Sequence, residues 1–89
     1  MKAIVTVIGR DRVGIIAQVS RLLAERGVNV LDISQTVLQD YFTMIMLVDA
    51  SGCSEPFASL AGELAAAGED QGLQIRIQRE DIFNAMHRI

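Results

Sequence analysis

One cysteine, one histidine and no tryptophan stand in a chain of 89 residues, and those shortages remove whole classes of chemistry. Cys53 has no mate for a disulfide, and Cys53 with His87 falls short of a protein-only metal cluster within one chain. Cys53 therefore reads as a passive loop or cap residue, and nothing calls for a metal or another cofactor. Long apolar runs are missing too: no stretch approaches the ~18 consecutive apolar residues of a membrane span. The segment Met1 to Ile8 imitates a very short signal peptide, but Thr6 interrupts it, Arg10 to Arg12 end it, and no small-residue cleavage site follows. A cytoplasmic protein without a membrane partner is expected. An excess of basic charge is also lacking. The formal charge is -3, with Lys and Arg scattered rather than gathered on one face, which argues against nucleic acid as a partner.

What is present is apolar: 51% of the residues, enough for one core in one domain of this length. Lys2 to Ile8 is a strand whose two faces, Ala3/Val5/Val7 and Ile4/Thr6/Ile8, are both largely apolar, the pattern of a central strand covered on both sides. Ile15, Ile16, Val19, Leu22 and Leu23 recur at helical spacing, predicting a helix from about Val13 to Arg26, with Gly27 as its left-handed end. Asn29 to Gln39 reads as an edge strand of mixed faces, Leu31, Ile33 and Val37 lying opposite Val30, Asp32, Ser34, Thr36 and Leu38. A turn at Asp40-Tyr41 leads into a second central strand, Thr43 to Val48. Ser54 offers an N-cap for a second helix ending near Gly72, with Phe57, Leu60, Ala61 and Leu64 as its stripe. Leu73, Ile75 and Ile77 then alternate with Gln74, Arg76 and Gln78, a strand with one wet face.

The order βαββαβ predicts an α+β fold, a ferredoxin-like sandwich with an antiparallel sheet ordered 4-1-3-2 and both helices on one face. Helices on one face leave the second apolar face of strands one and three to be covered, by a partner subunit or by the chain's own tail. The tail, Glu80 to Ile89, reads as an extra C-terminal helix, acidic at its start and basic at its end. So short a helix must dock on the sheet or on a neighbouring subunit to persist, and the alternative is a frayed terminus. The expected division is a domain over residues 1–79 and the helix over residues 80–89.

The candidate site is the bend Gly9-Arg10-Asp11-Arg12-Val13-Gly14-Ile15, where a strand stops and a helix starts. Such a bend aims backbone N-H groups and a helix N-terminus at an approaching anion, although structural punctuation alone also accounts for it. Taken together, Ile8-Gly9-Arg10-Asp11-Arg12-Val13-Gly14-Ile15-Ile16 and Gly27-Val28-Asn29-Val30-Leu31-Asp32-Ile33 resemble the ACT domain, a family of small regulatory modules that bind amino acids. The nearest likeness is to free-standing single-ACT proteins and to the halves of tandem regulators of the glycine-cleavage-repressor type. Val13 stands where many members carry proline. The resemblance implies an amino acid held between the first loop and strand two, commonly across a homodimer interface of side-by-side sheets. The matching positions are Asp11, Arg12, Val13, Gly14, Ile15 and Asn29. Amides at Gly14 and Ile15 suit an α-carboxylate, while Asp11 or Asn29 suits the ammonium. Asp11 as a helix cap and Asn29 as a turn residue are the competing roles.

Three other functions fit less well. An acylphosphatase-like enzyme needs an arginine shortly after the loop, and Ile15-Ile16-Ala17 supplies none. RNA binding on this fold needs exposed aromatics on the central strands, where only Phe42 comes near. A dimeric scaffold without ligand remains as the alternative to a non-catalytic sensor.

Overall fold

Three of the four strands alternate side chains between a dry and a wetter face, and that alternation sets the architecture. The computed structural model describes residues 1–10 and 13–86. The elements run β1 (Lys2–Arg10), α1 (Ile15–Glu25), β2 (Asn29–Leu38), β3 (Tyr41–Asp49), α2 (Phe57–Asp70), β4 (Leu73–Arg79) and α3 (Glu80–Met86). All pairings are antiparallel and the sheet order is β2-β3-β1-β4, the expected ferredoxin-like 4-1-3-2. The apolar strands β1 and β3 are the inner pair.

The core lies between the helices and one sheet face. Ala3, Val5 and Val7 of β1, Phe42, Met44, Met46 and Val48 of β3, and Leu73, Ile75 and Ile77 of β4 are buried there. They meet Ile15, Val19 and Leu23 of α1 and Leu60 and Leu64 of α2. No polar or charged residue is buried among the described residues. Hydrophobic burial alone therefore carries the interior, with no buried polar network to satisfy. The opposite face carries Ile4, Thr6 and Ile8 beside Thr43, Ile45 and Leu47; Ile8 is 42% and Ile45 44% exposed. The helix α3 lies beside β1 and β4, with Ile82 exposed.

Several boundaries differ from those the sequence predicts. The first helix starts at Ile15, with Gly14 in the N-cap position at φ +91°. Ser54 caps nothing. Proline disfavours helical backbone in the residue before it, so the second helix starts after Pro56, whose carbonyl accepts from the Leu60 amide at 3.1 Å. The hairpin turns at Gln39-Asp40, Gln39 taking φ +54°, and Tyr41 already belongs to β3. In β2 the pairing shifts between Val30 and Asp32. Leu31 is thus an extra residue, a bulge that moves Val30 to the helix-facing side and sets Ile33, Gln35 and Val37 there as well. The α1 helix ends as expected on left-handed Gly27, φ +76°. A Cβ on Gly27 would lie 2.5 Å from the Gly52 carbonyl oxygen, and one on Gly52 would lie 2.8 Å from that of Gly27. The two connections meet backbone to backbone.

Candidate functional site

The bend after β1 opens onto a crevice between the start of α1 and the outer half of the sheet. Gly14, Ile15, Ile16 and Ala17 form one wall, and Gln35 and Val37 of β2 with Phe42 of β3 form the other, around a volume of about 270 Å³. The geometry has a local cause. Gly14 takes a left-handed conformation in open space, since a Cβ there would meet nothing within 4 Å. Its carbonyl accepts the first helical bond, from the Gln18 amide at 2.9 Å. The N-H groups of Ile15, Ile16 and Ala17 precede that bond and have no intrahelical partner. No acid occupies the first turn and the N-cap supplies no side-chain bond, so among the described residues no charge offsets the positive end of the helix at the crevice.

Of the six positions singled out from the sequence, Gly14 and Ile15 line this crevice. Val13 lies beside them, 99% exposed. Ile15 serves through its backbone, because its side chain is 2% exposed and sits in the core. Asp11 and Arg12 lie outside the described residues, as do His87, Arg88 and Ile89. Asn29 is exposed but starts β2 opposite Asp49. At roughly 3.3 Å per residue it stands about 20 Å along the strand from Gln35. Within one chain, Asn29 and the bend do not share a site. Sequence reasoning missed Ile16, Ala17, Gln35, Val37 and Phe42. The first two were legible as helix positions N2 and N3; the β2 pair depended on the Leu31 bulge, which no residue signals.

Gly9 has a packing role. A Cβ there would lie 2.5 Å from Leu73 Cδ2, so the methyl groups of Leu73 fill the space where a larger residue would project. Arg10 stacks its guanidinium over Tyr41, 5.8 Å from the ring centre.

A second polar cluster lies at the other end of α1. The Arg26 guanidinium donates from Nε to Glu63 Oε1 at 2.9 Å and from Nη1 to the Leu22 carbonyl at 2.9 Å. Glu55 joins the cluster from the loop before α2. A hydrogen bond with Glu63, then burial and the Glu63 charge, push its carboxyl above the ordinary range, while the Glu55 hydrogen bond and Arg26 hold Glu63 below it. Nearby, the Ser51 side chain and backbone and then the N-terminal ammonium hold Asp49 down to about 2.

Comparison with known proteins bears on both ends of the molecule. The family model of the ACT domain matches residues 2–78. A UPF0237 protein of Clostridium acetobutylicum is 56% identical over 89 residues, covering 100% of each chain. An ACT domain protein from Streptococcus pneumoniae superposes with a TM-score of 0.84 at 48% identity, covering 98% of both chains. A protein described as a glycine cleavage system transcriptional repressor gives a TM-score of 0.71 at 25% identity, this chain matching over 86% of its length and spanning 44% of that one.

Proposed function

The chain belongs to the ACT domain family, and from that premise we propose that it is a non-catalytic, cytoplasmic sensor that binds a small amino acid as a homodimer. The observation that carries the reading is the crevice where the amides of Ile15, Ile16 and Ala17, which have no partner within the helix, meet the helix-facing side of β2. Those amides receive the α-carboxylate, with Asp11, Arg12, Val13 and Gly14 shaping the bend around it. Charge-assisted bonds of this kind contribute roughly 1.5–3 kcal/mol each.

The homodimer follows from the placement of Asn29. Along β2 every residue but the half-buried Val30 is exposed, and its outer edge has no neighbour in the sheet. A two-fold axis pairing two β2 edges antiparallel sets the start of one strand beside the end of the other. Asn29 of a second copy is then brought to the end of β2 that borders the crevice, where we assign its amide oxygen to the ligand's ammonium. The unit is residues 1–79, with residues 80–89 as an appended helix that docks on the sheet or on the second copy.

The test is a thermal-shift panel of amino acids on the wild type, on Asp11→Ala, on Asn29→Ala and on the two variants mixed. A ligand at ~100 times its dissociation constant stabilises by ~2.7 kcal/mol, a visible shift for a domain of this size. Each variant alone should lose the shift. The mixture should recover part of it, because a mixed dimer contains one intact site. No shift with any amino acid on the wild type would leave a ligand-free dimeric scaffold as the function, and no recovery on mixing would refute the shared site.

A further inference from the structure

The walls of the crevice also speak to which amino acid fits, a question that rests on the reading above. Its volume within one chain, about 270 Å³, lies just below the usual range of ligand cavities, about 300–1,000 Å³. Past the helix amides, the side chains that line it are Ile16, Ala17, Val37 and Phe42, with Gln35 as the single polar one. None of the described lining residues is charged. Val37 is 53% and Ile16 37% exposed, so apolar surface stands open beside the place where a carboxylate would be held. Gln35 has no side-chain hydrogen bond to any described residue, which leaves its amide at the rim available to the ligand.

We infer that the ligand is an α-amino acid with an uncharged aliphatic side chain, which covers Ile16 and Val37 while the helix amides hold its carboxylate. Gln35, the one polar side chain among the described lining residues, gives a charged ligand side chain no counter-charge. A charged side chain in the same place gives up water and gains no ion partner from the described walls. Glycine leaves the apolar wall bare, and each CH₂ that covers it strengthens binding about fourfold.

Calorimetric titration of the full chain with glycine, alanine, valine, leucine, aspartate and lysine tests this. Affinity should climb from glycine through alanine to valine or leucine, by about fourfold per CH₂ until the wall is covered, with aspartate and lysine weaker than alanine. Val37→Ser should weaken leucine while leaving glycine unchanged. Gln35→Glu should bring lysine into range at the expense of leucine, with equal urea midpoints showing that both variants fold. A flat series, or tightest binding by a charged amino acid, overturns the inference and leaves the amino-acid sensor standing. Failure of all six to bind also overturns the inference, and the sensor itself falls only if the full amino-acid panel gives no shift.

Discussion

Alanine at Gly14 and alanine at Gly62 should change stability in opposite directions, although neither new methyl group touches anything. A Cβ at either position meets no atom within 4 Å, so packing drops out and the backbone alone decides. Gly14 sits at φ +91°, where an L side chain costs ~1–2 kcal/mol. Removing glycine from the unfolded chain returns ~0.4–1 kcal/mol of that. Gly14→Ala should therefore lose about 0.8 kcal/mol at the midpoints and at most ~1.6 kcal/mol. Gly62 lies inside α2, within Phe57–Asp70, and glycine in a helix interior is ~0.5–1 kcal/mol worse than alanine. Gly62→Ala should gain about that much. One kcal/mol moves the melting temperature of a domain this size by ~4–8 °C, so the two variants should melt on either side of wild type. Gly14→Asn should fall between Gly14→Ala and wild type, since asparagine visits the left-handed region more readily. Urea unfolding followed by circular dichroism is the assay. If Gly14→Ala matches wild type, or if both alanine variants move the same way, the bend does not hold the left-handed conformation on which the site depends.

Two further outcomes follow from features already described. Leu23 is fully buried, and Leu23→Ala should cost ~2–5 kcal/mol in urea unfolding, the range for a large side chain deleted from a packed core; a loss under ~1 kcal/mol would mean that α1 does not pack as found. Glu55 is raised by its hydrogen bond with Glu63, so the stability it adds is full at acid pH and fades as pH rises through its folded value. Glu63 is lowered, and its share is present above the ordinary glutamate range and fades as pH falls. Glu55→Gln keeps a hydrogen-bond donor beside Glu63 at every pH, so its urea midpoint should lack the decline that wild type shows as pH rises through the folded value of Glu55; parallel profiles would refute the hydrogen bond between the two carboxyls.

The sheet order was readable because β1 and β3 are apolar on both faces while β4 alternates strictly. Those patterns report how many sides of a strand face the interior, and in this topology that fixes which strands are central. Gly27 was equally readable, since a helix that ends on glycine has few other ways to turn. The start of α2 was misjudged because Ser54 is a good cap in isolation, and the restriction that Pro56 places on Glu55 outweighs it. In β2, Leu31 looks like any other strand leucine, and whether a residue pairs or bulges depends on the neighbouring strand. Asn29 and the bend were grouped by their nearness in a motif. Six residues of extended chain part Asn29 from Gln35 at the crevice, and strand length is a distance that a motif does not display.

The contact between Gly27 and Gly52 limits where this chain tolerates added sequence. Both connections would have to be prised apart to admit even one methyl group, so a peptide epitope spliced into either should disrupt α1 and α2 together. Among the described residues the Gln39-Asp40 hairpin tip meets no such backbone, and it is the place to graft a label.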